Sequence, residues 1–233
     1  MNGARCLRSQ ASSTDKLCAR LGSGARKILH GSSEYQGLLL SVPYRKPNMN
    51  ILTTSLPGVL IIEPRVFSDE RGFFKETFSQ ERYRERAGIT LPFVQDNYSR
   101  SGRNVLRGLH FQRTRPQGKL ISVMRGAIFD VAVDITPESK TFGSYVGVEL
   151  SESNHRQLWL PPGYAHGFYV LSEEADLNYK CTDYYRPDDE GGLAWNCPRL
   201  AIAWPVQHPL LSPKDSRHPG LEQFQLPSQR DRP

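Results

Sequence analysis

The chain has 233 residues and a formal net charge of +6, and its length suits one large domain or two small ones with a buried core. No apolar run approaches the roughly 20 residues of a membrane-spanning helix, so the sequence offers no helical span and no membrane partner is expected. The charge invites a nucleic-acid reading, but its distribution argues against one. Residues 1–48 hold eight Lys and Arg against Asp15 and Glu34, which is the whole excess, while residues 49–233 carry 22 basic and 22 acidic side chains. A phosphate-tracking surface needs a basic patch, so nucleic acid is not an expected partner either. The four cysteines (Cys6, Cys18, Cys181, Cys197) form no CxxC pair and read as reduced thiols of a cytoplasmic protein.

Residues 1–48 are rich in Ser, Gly and Arg and lack sustained periodicity. They are expected to form a disordered or spurious N-terminal extension, because Met49 immediately precedes a clean strand pattern. The same acid-poor composition also resembles an organellar transit peptide. From residue 51 the pattern predicts an all-β domain over 49–233. A strand is expected at 59–62, then a turn at 68–72 leading into 73–78. The one convincing helix runs from Ser79, its N-cap, to Ala87, with Gly88 as its stop. Short β-branched and aromatic runs follow at 120–124, 127–135, 145–150, 157–160, 168–171 and 177–185, each bounded by Gly, Pro, Asn or Asp. Many short strands with one or two short helices predict a sandwich or small barrel, which can hold one small ligand in its mouth.

Within this frame Arg107-Gly108-Leu109-His110-Phe111-Gln112 is the most informative stretch. A histidine near an arginine can exchange a proton at cellular pH in front of an anionic ligand. Further clusters are Arg71-Gly72-Phe73-Phe74 with Glu76, Gln95-Asp96-Asn97, Gln117-Gly118-Lys119, and the run from Pro161 through His166 to Phe168. Tyr179-Lys180, Tyr184-Tyr185, Glu190 and Leu211-Ser212-Pro213-Lys214-Asp215 complete the set. Singly, each has a structural explanation: core packing for Tyr179, a loop charge for Glu190, a rim position for Lys119.

Together, from Met49 to Asp215, these motifs resemble the dTDP-4-dehydrorhamnose 3,5-epimerase family in order and spacing; the leader has no counterpart there. The resemblance implies a cupin-type jelly-roll barrel and epimerisation at C3 and C5 of a dTDP-4-dehydro-6-deoxy sugar, in dTDP-rhamnose biosynthesis. It implies His110 as base, Asp215 as the carboxylate that orients its imidazole, Lys119 beside the developing enolate oxygen and Tyr179 as the acid on the opposite face. Arg71, Glu76, Gln95, Asn97, Arg107, His166, Glu190 and Lys214 match positions that contact the nucleotide sugar, and one of Tyr184 or Tyr185 is a candidate to stack on the base. The family commonly pairs as a homodimer that completes the pocket across subunits.

Cupin metal sites use an HxH pair and a later histidine. Here the pair reads His110-Phe111-Gln112 and only His166 follows as a match, so no metal is expected; with no nucleotide-binding glycine motif and no lysine in a cofactor-linking context, no organic cofactor is expected either. Two alternatives stay open on the sequence: a single-centre 3- or 5-epimerase of another nucleotide deoxysugar, and a non-catalytic sugar-nucleotide-binding cupin.

Overall fold

Alternation of side chains between two strand faces organises residues 49–224, which the computed structural model describes. The expectation for residues 1–48 lies outside the described residues. The chain runs through β1 (Asn50–Thr53), β2 (Leu60–Glu63), β3 (Val66–Asp69), β4 (Gly72–Lys75), α1 (Gln80–Ala87), β5 (Gln95–Gly102), β6 (Leu106–Gln112) and β7 (Lys119–Arg125). It continues through β8 (Ala127–Asp134), β9 (Tyr145–Ser151), β10 (Gln157–Leu160), β11 (Tyr164–Val170), β12 (Glu174–Cys181) and β13 (Glu190–Gly192), and closes with 3-10 turns at Asp215–Arg217 and Leu221–Gln223.

Two antiparallel sheets face each other, one ordered β1-β2-β10-β7-β12-β5 and the other β13-β6-β11-β8-β9. Between them Ile121, Leu158 and Leu177 of the first pack on Ile128, Phe168 and Val170 of the second. The neighbouring residues of opposite parity face outward and need their own cover. Leu120 and Trp159 pack under Tyr83 of α1, and Val131, Val133 and Leu109 pack under Leu193, Leu200 and Leu221 of the C-terminal segment. Among the described residues no helix is long and apolar enough to cross a membrane. The architecture is the expected cupin-like jelly roll.

The helix is where the sequence places it. Ser79 sits at its N-cap in an extended conformation but makes no side-chain capping bond, and Gly88 ends it in the left-handed conformation with φ 68°. Several strands differ from expectation. The turn at 68–72 closes a separate hairpin of β3 and β4. The run expected at 168–171 begins at Tyr164, so His166 lies inside β11. The run expected at 177–185 is shifted to Glu174–Cys181. After Cys181 the chain leaves the sheet, with Thr182 N–H donating to Gly118 O and Tyr185 N–H to the Gln95 side chain. The polar segment 95–102, without a strand signature, forms β5 at the sheet edge.

One irregularity positions the site. Opposite β11, β6 spends one residue more between Arg107 and His110 than β11 spends between Phe168 and His166. This bulge turns both Arg107 and His110, which would lie on opposite faces of a regular strand, towards the barrel interior. Gly108 permits it with φ 115°, and a Cβ there would lie 2.6 Å from Gly167 Cα and 2.7 Å from His166 O. Gly108→Ala is therefore expected to cost about 2–5 kcal/mol from strained backbone and overpacking. Gly102→Ala, whose Cβ would meet nothing within 4 Å, is expected to stay within about 0.5 kcal/mol of the parent. Denaturant unfolding of the two variants checks this, and equal stabilities would contradict it.

Candidate active site

The space between the sheets is apolar at one end and polar at the other. On the six-stranded wall, Lys119 shares the inward face of Ile121, and Tyr179 and Cys181 share that of Leu177; Asn97 and Gln95 stand opposite Tyr179 and Cys181 in register on β5. On the five-stranded wall, His166 stands opposite both His110 and Ala132, and Glu190 and Gly192 of β13 stand opposite Gln112 and His110. The barrel therefore gathers His110, Lys119, Tyr179, Gln95, Asn97, Arg107, His166 and Glu190 on its inner walls.

His110 Nε2 lies 2.5 Å from Asp215 Oδ1, across 105 residues of sequence. Asp215 heads the 3-10 turn Asp215–Arg217 and is buried. Burial pushes its carboxyl up, but the hydrogen bond and charge of His110, aided by Ser212 and His218, outweigh it and hold the group below the ordinary carboxylate value. A carboxylate can only accept, so Nε2 carries the proton of the neutral imidazole and Nδ1 keeps the lone pair. His166 makes a second pair of this kind, its Nε2 2.7 Å from Oδ1 of fully buried Asp130.

Burial pushes the Tyr179 phenol up, and Cys181 adds to this against the field of Arg107, so the phenol stays protonated at neutral pH. Burial also pulls the Lys119 ammonium down, while Cys181, Glu190 and Asp130 act the other way. Arg107 reaches from β6 to donate to Ser101 Oγ of β5 at 2.9 Å. Lys214 pairs with Glu190, which also accepts from Tyr185 Oη at 2.6 Å. Gln95 Nε2 donates to Asn97 Oδ1 at 2.9 Å. Tyr184 and Tyr185 are both exposed.

Two expected site residues stand elsewhere. Arg71 is 84% exposed at the tip of the β3–β4 hairpin and pairs with Asp69, while Glu76 pairs with Arg82 of α1. The structure also adds residues that the sequence reading missed. Asp130 is the lone acid in the apolar run Ala127 to Val133, and a buried charge in such a strand needs a partner. His218 follows Asp215 by three residues, the interval at which side chains eclipse in a 3-10 turn. His110, Asp215 and His218 place one ligand atom each within 4.8 Å of one another, a two-imidazole, one-carboxylate set of a kind that can hold a divalent ion. His110 and His166, the pair weighed from the sequence as metal ligands, instead each turn Nε2 onto a separate carboxylate.

The sequence model of the dTDP-4-dehydrorhamnose 3,5-epimerase family matches residues 53–223. The chain belongs to this family. It is 54% identical over 180 residues to the dTDP-4-dehydrorhamnose 3,5-epimerase of Salmonella typhimurium, covering 76% of this chain and 98% of that protein. The crystal structure of a dTDP-6-deoxy-D-glucose-3,5-epimerase from Legionella pneumophila, in complex with dTDP-4-keto-L-rhamnose, superimposes with a TM-score of 0.75. The two are 54% identical, over 77% of this chain and 98% of that one. A 3'-monoepimerase from Streptomyces bikiniensis, in complex with dTDP-quinovose, superimposes with a TM-score of 0.69 at 36% identity, over 72% of this chain and 86% of that one.

The imidazole geometry of this epimerase-family site is directly measurable. Long-range proton–nitrogen correlation spectra at a pH where His110 is neutral are expected to show Nε2 protonated and Nδ1 bare. In Asp215→Asn, whose amide can either donate or accept, that preference should weaken. A bare Nε2 in the parent protein would contradict the geometry.

Proposed function

We propose that this chain is an isomerase that inverts C3 and C5 of dTDP-4-dehydro-6-deoxy-D-glucose to give dTDP-4-dehydro-L-rhamnose. The observation that carries the reading is the opposition of two proton-transfer groups across the polar end of the barrel. His110, oriented by Asp215, stands on the five-stranded wall, and protonated Tyr179 stands on the six-stranded wall. Binding alone requires no such opposition, which disfavours a non-catalytic sugar-nucleotide binder.

In this reading His110 Nδ1 removes the proton beside the C4 ketone. The electron pair moves to the ketone oxygen as an enolate, which Lys119 stabilises, with Glu190 and Asp130 favouring the charged lysine. The Tyr179 phenol then delivers a proton to the opposite face, and solvent exchange restores both groups. As His110 takes the proton, Asp215 stabilises the imidazolium. The same sequence at the second carbon completes the inversion. Every group in it is a side chain of the protein, so the reading requires no metal or organic cofactor.

Arg107, His166, Gln95, Asn97, Glu190 and Lys214 would hold the nucleotide sugar: cations suit a diphosphate, and amides suit a pyrimidine edge. Arg71 and Glu76 fit this role only if the β3–β4 hairpin and the residue that follows it reach the pocket of a second copy of the chain. The exposed Phe67 and Phe74, which pair in register on one face of the β3–β4 hairpin, support a homodimer in which that aromatic face is covered. The free, buried thiols of Cys181 and Cys197 fit a cytoplasmic location.

A single-centre epimerase remains the competing reading, and the higher identity to the 3,5-epimerases than to the 3'-monoepimerase favours inversion at both centres. Proton NMR of the protein with the ketosugar in deuterium oxide decides between them. The expected outcome is loss of both the C3 and C5 proton signals with formation of the L-rhamno product. Loss at one centre alone would establish the single-centre enzyme, and no exchange at either would establish the binder.

A further inference from the structure

His218 lies behind the His110–Asp215 pair, and no step of the proposed reaction uses it. Its side chain is 11% exposed, and its Nε2 lies 3.5 Å from Asp215 Oδ1, the same oxygen that His110 Nε2 meets at 2.5 Å. That Nε2 is buried and has no formed hydrogen bond. The His218 ring stands nearly edge-on to His110, centroids 5.7 Å apart at 78°.

The backbone makes room for this ring. Gly192 of β13 is in register with His110, and a Cβ on Gly192 would lie 2.3 Å from His218 Nε2 and Cε1. The imidazole thus fills the space of the missing side chain on the strand flanking the base. The 3-10 turn sets its other coordinate, placing it over Asp215 three residues earlier. A buried ring nitrogen without a bond is costly for simple filling, because an apolar ring of the same size would occupy that space without stranding a polar group.

We propose that His218 is a positioning residue that presents its Nε2–H to Asp215 Oδ1, fixing the carboxylate on His110 and tightening as His110 takes up the substrate proton. Contacts of this kind are often long without substrate and shorten in the reacting complex. The ring suits the role because it stays neutral: burial first, then the charge of His110, holds its pKa below the ordinary imidazole value, with Lys214 adding to this and Asp215 opposing it. A neutral donor steadies the carboxylate without setting a second full positive charge beside the imidazolium.

The proposal rests on His110 being the base, and steady-state kinetics with the ketosugar tests it. His218→Phe keeps a ring over Gly192 and removes the N–H donor. It is expected to lower kcat on the order of 10-fold, as loss of an orienting partner does elsewhere, with KM and thermal midpoint close to the parent. His218→Gln, which keeps an N–H donor without the ring, should retain more kcat than His218→Phe. In an Asp215→Asn background the His218→Phe substitution should have no further effect, because its influence passes through Asp215. Parental kcat in His218→Phe, a larger loss in His218→Gln, or losses that multiply in the double variant would each overturn the role. Wild-type protein that fails to exchange the sugar protons would defeat the proposed function, and this proposal with it; a normal wild type with an unaffected His218→Phe defeats only the role of His218.

Discussion

The extra residue that β6 carries at Gly108 is the constraint on which the polar end of the barrel depends. In a regular strand Arg107 and His110 would point to opposite faces. The bulge opposite His166 and Phe168 brings both inside. It requires two backbones closer than any side chain allows, which is why Gly108 and Gly167 face each other across β6 and β11. With His110 inward, Asp215 can reach Nε2 from the C-terminal segment, and Arg107 can span the mouth to Ser101 on the facing sheet.

The two walls then divide the electrostatic work. The five-stranded wall carries the imidazoles, each with its own buried carboxylate, and the six-stranded wall carries Lys119 and Tyr179. Partial burial acts on both of the latter, holding the phenol protonated and pulling the ammonium towards neutrality, while Glu190 and Asp130 resist the second effect. A base and an acid on separate walls can address the two faces of a flat enolate lying between them. One wall carrying both could serve only one face, and inversion needs both.

Much of this was legible in the sequence because it is local. The Gly-bounded β-branched runs gave most of the strands, and Ser79 and Gly88 bracketed the helix. The family motifs carried the inner-wall residues, each of which falls on the polar end of the barrel. What escaped is non-local or unlike its class. β5 reads as a loop because its inward face, Gln95, Asn97 and Ser99, lines a polar space while its outward face meets solvent, so neither face is apolar. Asp130 becomes meaningful only when β8 lies beside β11 and His166 supplies its partner. His218 carries no signal in the sequence because nothing near it announces a 3-10 turn or the space left by Gly192. Arg71 and Glu76 match family positions, yet on one chain they pair with Asp69 and Arg82: Arg71 lies at the tip of a hairpin that is a sheet of its own, and Glu76 lies between that hairpin and α1.

The central claim is that the base and the acid are different residues on different walls, and Tyr179→Phe separates them most directly. The substitution keeps the ring and removes the phenolic proton while leaving His110 and Asp215 in place. Deuterium wash-in at C3 and C5 and formation of the L-rhamno product would be followed together in deuterium oxide. The account predicts that wash-in persists while net inversion falls on the order of 10²–10⁴-fold, the usual cost of losing a positioned acid or base. Inversion by Tyr179→Phe at the wild-type rate would contradict it.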